Sequence, residues 1–212
     1  MPYRLLLADD HTMFRQGLRA LLEKLHDFEI VGEAGSGRDA IELAARLVPH
    51  VVLMDIAMPD LNGVEATRQI RSGETPPKVV ALSMHSDGAV IRRMFQAGAS
   101  AYLLKDCPFD ELSTALRTVV AGRTYMSPAI ADTMVRQIAA PDSSPPELTA
   151  REREVLQLLA EGRSTKEVAT QLNLSSKTVD THRQHIMDKL NIHNIAELTR
   201  YAIREGISFL ET

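Results

Sequence analysis

"RLLLADDHTMF" spans Arg4 to Phe14, a run of leucines that ends in two adjacent carboxylates. A buried strand has no use for Asp9 and Asp10. Two like charges side by side repel by roughly 4 kcal/mol at 4 Å with an effective dielectric of 20, so something near that strand end must offset the cost. Other apolar runs also stop at chemically active residues. "VVLM" leads into Asp55, "VVALS" ends on Ser83 and "AYLLK" ends on Lys105. With "EIVGEA" these make five short runs that are continuous rather than alternating, as in strands covered on both faces.

Helix-period segments lie between the runs. Phe14, Leu18, Leu21, Leu22 and Leu25 share one face, and "GRDAIELAARLV", "GVEATRQIRS", "DGAVIRRMFQAG" and "FDELSTALRTVVAG" follow the later runs. Five β/α repeats predict a doubly wound, five-stranded parallel sheet over residues 1–122. Composition then shifts. Residues 123–147 read as a short helical piece and a Pro/Ser/Asp linker, because Pro141, Pro145 and Pro146 cannot continue a helix. Residues 148–212 lose all strand signals and read as an all-α, four-helix domain. Thr149 with Glu152 and Ser164 with Glu167 form capping boxes, and Gly162 and Gly206 stand where helices should stop.

In a parallel α/β sheet, ligands bind at the carboxyl ends of strands where the strand order reverses. That end would collect Asp9, Asp10, Asp55, Ser83 and Lys105. Three acids call for a hard divalent cation. Mg²⁺ suits them, since it takes one or two carboxylates, keeps waters and accepts phosphate oxygens. A metal ion and Lys105 would balance Asp9 and Asp10. Asp55 is then placed as a nucleophile for phosphoryl groups, with Ser83 offering its hydroxyl to a phosphoryl oxygen.

"LLADDH", "VVLMDIAMPDLNGVEA", "VVALSMH" and "GASAYLLKD" resemble the receiver domain of two-component response regulators over residues 3 to about 122. The resemblance implies that Asp55 accepts a phosphoryl group from a partner histidine kinase. It implies that Asp10, Asp55 and the carbonyl of Ala57 bind Mg²⁺ directly, with Asp9 acting mostly through water. It also implies that Tyr102 turns inward when Ser83 moves toward the phosphate. Pro59 and Gly63, in "MPDLNG", fit a loop that turns tightly. His11 reads more simply as a helix-start residue than as a ligand or acid catalyst.

The second half holds a helix-turn-helix pattern, "STKEVATQLNLSSKTVDTHRQHIMDKL". Val179, Ile186, Met187 and Leu190 mark the buried side of its second helix. Ser176, Lys177, Asp180, Thr181, Gln184 and Asp188 lie away from it, a placement suited to the major groove. Thr and Gln can contact thymine methyls and adenine edges, and Asp can accept from cytosine N4. Lys177, Thr178, His182, Arg183 and Lys189 suit phosphate contacts. The segment is similar to the LuxR-type DNA-binding domain of the NarL/FixJ subfamily. That similarity implies that "NIAELTRYAI" is a dimerisation helix and that the activated protein binds double-stranded promoter DNA as a homodimer.

Global composition decides less. Net charge is −4, and residues 148–212 hold nine Lys/Arg and nine Asp/Glu, so charge neither demands nor forbids a nucleic acid. No apolar run approaches the roughly 20 residues of a membrane span, so no membrane partner is expected. A single cysteine, Cys107, excludes an internal disulfide and fits the reducing cytoplasm. The reading is a transcription factor switched by phosphorylation, with no enzyme activity beyond Mg²⁺-dependent self-phosphotransfer and autodephosphorylation. Aspartyl-phosphate phosphatases usually place a second Asp two residues after the nucleophile, where this chain has Ala57. The alternative is a signalling adaptor whose helical half binds protein.

Overall fold

In the computed structural model, which describes residues 1–128, 130–131, 133 and 148–209, the five apolar runs form strands. They are β1 (Tyr3–Ala8), β2 (Phe28–Ala34), β3 (Val51–Asp55), β4 (Lys78–Ser83) and β5 (Ala101–Leu104). Between and after them lie α1 (Thr12–Leu22), α2 (Gly37–Leu47), α3 (Gly63–Arg71), α4 (Gly88–Gln96) and α5 (Phe109–Val120). The chain falls into two compact units, Met1–Ala140 and Pro141–Thr212. The expected Pro/Ser/Asp linker at 140–147 lies outside the described residues, as does most of the expected short helix before it.

The sheet has the order β2-β1-β3-β4-β5-β6 and every pairing is parallel. Its sixth strand corrects the expected count of five. β6 (Tyr125–Met126) pairs at the edge with Ala101 and Tyr102. Two residues are too few to show any period in sequence, so only the partner strand defines them. The continuous apolar runs have the expected cause: Leu5, Leu6, Val51, Val52, Met54, Val79, Val80 and Ala81 are wholly buried between helical layers. Strand order reverses between the neighbours β1 and β3, which opens a crevice above their carboxyl ends.

One turn sets the floor of that crevice. After Asp55 the chain doubles back, with Leu61 N–H donating to Pro59 O at 2.7 Å and Gly63 N–H to Ile56 O at 2.9 Å. Asn62 caps α3 by accepting from Glu65 N–H at 2.9 Å. The first residue of α3 is thereby pressed onto the end of β3. A Cβ on Gly63 would lie 2.0 Å from the Asp55 carbonyl oxygen, so only glycine fits. The motif that reads as a tight turn is thus also a close approach of backbone to backbone.

In the second unit the helices are α6 (Ala150–Ala160), α7 (Thr165–Gln171), α8 (Ser176–Leu190) and α9 (Ile195–Arg204). Both capping boxes form with reciprocal bonds. Gly162 at φ 83° and Gly206 at φ 62° end their helices in the left-handed region. Leu156, Leu158, Val168, Val179, Ile186 and Leu198 meet in one apolar core.

Gly63→Ala is expected to cost about 1–3 kcal/mol, the usual penalty of overpacking. Urea unfolding checks this, since a midpoint unchanged from the parent would mean that the α3 start can move away from Asp55 freely.

Candidate functional site

Each strand delivers its residue to the crevice. Asp9 follows β1, Asp55 is the last residue of β3, Ser83 ends β4 and Lys105 follows β5. Asp55 is 1% exposed, and burying a carboxylate is costly unless it is paired. Its Oδ2 lies 2.7 Å from Lys105 Nζ, and its Oδ1 accepts the Ala57 N–H at 3.2 Å. Lys105 Nζ also lies 2.8 Å from Asp9 Oδ2, so one ammonium bridges two acids. The Phe14 ring sits 4.8 Å from the same Nζ. In sequence Phe14 is one more apolar residue on the face of α1, and nothing in its spacing announces this contact.

Asp9 is fixed a second time, because its Oδ1 accepts the His11 N–H at 2.8 Å. His11 is the N-cap residue of α1, makes no side-chain cap and is 68% exposed at its side chain. Its Nδ1 lies 2.9 Å from Asp10 Oδ1. Asp9, Asp10, His11 and Asp55 each bring one ligand atom to within 4.8 Å of the others. Asp9 Oδ2 and Asp10 Oδ1 are buried, with Lys105 Nζ and His11 Nδ1 as their close neighbours. Hard oxygen donors with unused lone pairs fit Mg²⁺ well.

Electrostatics follow from burial and crowding. Burial, and then the Asp55 charge, raise the Asp9 carboxyl above the usual range. Burial likewise raises Asp55 despite the attraction of Lys105, with Asp10 adding to the rise. Burial alone would lower Lys105, but Asp55 and Asp9 more than reverse it and keep the ammonium charged.

Ser83 and Tyr102 are both wholly buried and hold the same loop residue. Ser83 Oγ accepts the His85 N–H at 3.0 Å, and the Tyr102 hydroxyl donates to His85 O at 2.7 Å. Tyr102 therefore points inward here. Its burial pushes the phenol up to about 12. Among the described residues no peptide is cis, including Lys105–Asp106.

In the helical unit, α7, the turn and α8 form the helix-turn-helix. Ser175 caps α8 by accepting from Thr178 N–H at 3.0 Å. Val179 and Ile186 are buried, while Met187 and Leu190 pack partly against the core. Ser176, Lys177, Asp180, Thr181, Arg183 and Gln184 are exposed, and Thr178 and His182 are half-buried. Gln184 Nε2 donates to Asp188 Oδ1 at 2.8 Å, and Asp180 lies 3.4 Å from Thr165 Oγ1. Lys189 has an internal partner that the sequence did not suggest. Its Nζ sits 2.7 Å from Glu152 Oε2, which also takes the Thr149 N–H of the capping box. That bond ties α8 to α6.

Comparison with known proteins agrees across both units. Residues 5–117 match the response regulator receiver domain, and residues 146–202 match the bacterial regulatory proteins of the luxR family. The transcriptional regulatory protein MctR of Rhizobium johnstonii is 40% identical over 204 residues, which cover 96% of this chain and 94% of that protein. The response regulator UvrY of Escherichia coli is 38% identical over 210 residues, 98% of this chain and 96% of UvrY. Among solved structures, RcsB from Salmonella enterica serovar Typhimurium, bound to promoter P1flhDC in the presence of phosphomimetic BeF3-, has a TM-score of 0.63 at 25% identity. That match covers 96% of this chain and 99% of that one.

Asp10→Asn is expected to raise the melting temperature without Mg²⁺ at pH 7 by about 2–4 °C, the shift that 1 kcal/mol gives at this size. The sign follows from the raised Asp55, to whose rise the Asp10 charge adds. Folding disfavours its charged form, so the penalty is absent below the unfolded value of about 3.9 and complete above the folded value. The gain should therefore vanish as pH falls toward 4, and the Mg²⁺-induced stabilisation of the parent should be lost. A variant that melts lower than the parent at pH 7 would show that Asp10 is not under strain.

Proposed function

The chain belongs to the two-component response regulators that join a receiver domain to a LuxR-type DNA-binding domain, and from that we propose that phosphorylation of Asp55 controls its binding to promoter DNA. It is a transcription regulator rather than a classical enzyme. The observation that carries the reading is the buried Asp55 carboxylate beside a lysine already shared with Asp9. We place the receiver at 1–122, its sheet continuing to Met126, the connection at 123–147 and the DNA-binding domain at 148–212.

The proposed chemistry is simple. A carboxylate oxygen of Asp55 bonds to phosphorus while the bond from phosphorus to the histidine nitrogen of the kinase breaks, and the imidazole leaves with that electron pair. Asp10, Asp55, the Ala57 carbonyl and, through water, Asp9 would hold Mg²⁺. That ion supplies positive charge to the phosphoryl oxygens when it is bound. Lys105 neutralises charge from the β5 side, and Ser83 gives its hydroxyl to a phosphoryl oxygen. Since Ser83 and Tyr102 both hold His85, a Ser83 that turns toward phosphate releases one of the two bonds on that loop. Hydrolysis of the acyl phosphate returns the chain to its first state.

A protein donor has to cover the mouth of the crevice. Met13 and Met84, each close in sequence to a site residue, are 86% and 72% exposed, an unusual display of apolar surface. Met13 also lines a cavity of about 460 Å³ that opens between α1 and α5, with Phe14, Leu18, Leu21, Lys105 and Phe109. We assign this rim to the kinase. For the helical unit, α8 would enter the major groove. Thr181, Gln184 and Asp180 would face the bases. Ser176, Lys177, Thr178, His182, Arg183 and Lys189 would face phosphates, with Lys189 giving up or sharing Glu152. Binding as a homodimer follows the two-fold symmetry of such sites.

Acetyl phosphate with Mg²⁺ should add one phosphoryl group to the intact protein, read by mass spectrometry, and Asp55→Ala should abolish it. Equal labelling of Asp55→Ala would refute the assignment. Met13→Lys should slow transfer from the cognate kinase while labelling by acetyl phosphate stays at the parent rate. Parent-like transfer from the kinase would take the rim out of the donor interface.

A further inference from the structure

Asp10 poses a problem that the pocket does not solve by itself. Its buried Oδ1 lies 2.9 Å from Nδ1 of the His11 imidazole, a side chain that is itself 68% exposed. Asp9 is held by the His11 N–H and by Lys105, and Asp55 by the Ala57 N–H and Lys105. The exposed His11 ring is a loose anchor, and among the described residues no backbone N–H, ammonium or guanidinium holds the Asp10 carboxylate. Its direction then depends on the backbone from which it leaves, and that backbone is the planar Asp9–Asp10 peptide.

One side chain controls that peptide. Arg15, on the first turn of α1, donates from Nη1 to the Asp9 carbonyl oxygen at 2.5 Å. Its Nε donates to Glu33 Oε2 on β2 at 3.0 Å, and its side chain is only 16% exposed. Glu33 is itself fixed, taking Arg19 Nη1 on Oε1 at 2.6 Å. The Asp9 N–H donates to Ala34 O at 3.1 Å. The carbonyl at the turn is thus pinned from α1 and β2 together, by a planar guanidinium that cannot lose its charge.

We propose that Arg15, anchored by Glu33, is a positioning residue for the metal-binding carboxylate of Asp10, acting through the Asp9–Asp10 peptide. The inference rests on the reading of the pocket as an Mg²⁺ and phosphoryl site. It differs from a pure charge effect in sign. A guanidinium near three acids repels a divalent cation, so removing it as a mere counter-charge would tighten Mg²⁺ binding. Removing it as a positioning group weakens binding, because Asp10 must then be ordered by the metal itself.

Isothermal titration of the full chain with Mg²⁺ separates these cases without any phosphodonor. Arg15→Gln should weaken Mg²⁺ by roughly tenfold, the lower end of what outer ligand partners contribute. Arg15→Lys should recover part of that loss, since an ammonium can still reach the Asp9 carbonyl but not Glu33 as well. Labelling by acetyl phosphate at saturating Mg²⁺ should return to near the parent rate, which a general loss of structure would not allow. Unchanged or tighter Mg²⁺ binding by folded Arg15→Gln overturns the inference. Should that variant fail to fold, Glu33→Gln decides: it keeps the charge of Arg15 but frees it, and parent-like affinity overturns the inference equally. A parent that binds no millimolar Mg²⁺ overturns the pocket reading, and this inference with it. A parent that binds, with all variants unchanged, overturns the inference alone.

Discussion

Three carboxylates converge at one sheet edge with one lysine between them, and the rest of the receiver is arranged around that imbalance. Lys105 bridges Asp9 and Asp55, and both acids stay above the ordinary carboxyl range in spite of it. On the proposed function, that unsatisfied charge would make the pocket receptive to a divalent ion and to a phosphoryl group that arrives with it. The fold holds the strain in place with backbone rather than with side chains alone. β3 ends under the first residue of α3, where only Gly63 fits. The Asp9 carbonyl is tied to α1 and β2 through Arg15 and Glu33.

How far such a pocket can drive a shape change is a matter of magnitude. A full switch from 1:99 to 99:1 needs about 5.5 kcal/mol of differential binding. A single phosphate adds about one to three charge-assisted bonds. The local device that could spend them is small. Ser83 and Tyr102 both grip His85, one on its N–H and the other on its carbonyl. Moving Ser83 changes the balance on one residue of the β4–α4 loop, which suits a partial shift in population. On the proposed reading, a homodimer on DNA would multiply a modest change, because two receivers would act on one complex.

Much of this was legible in the sequence because strand ends are easy to read. Continuous apolar runs place Asp9, Asp55, Ser83 and Lys105 at the same edge once the β/α alternation is recognised. The capping boxes and the buried side of α8 follow from local rules that tertiary packing did not override. Features set by a distant partner were not legible. β6 is two residues defined only by β5. Lys189 reads in sequence as a phosphate contact, and its tie to Glu152 appears only when the fold brings α8 onto α6. Phe14 and Arg15 follow the DDH stretch as ordinary helix residues, and their contacts with Lys105, Asp9 and Glu33 cross strands and turns that spacing does not reveal. Gly63 showed its turn habit but not the carbonyl pressed against it.

The central claim is that charge placed on Asp55 is felt at the DNA-binding helix. Its most direct measurement is the affinity of the full chain for a duplex selected by the protein from a random pool. Affinity would be titrated at fixed salt, with and without acetyl phosphate and Mg²⁺, in the parent and in Asp55→Asn. The account predicts tighter binding with the phosphodonor in the parent only, by roughly tenfold or about 1.4 kcal/mol. An equal response in both proteins, or none in a parent shown to be labelled, would contradict it.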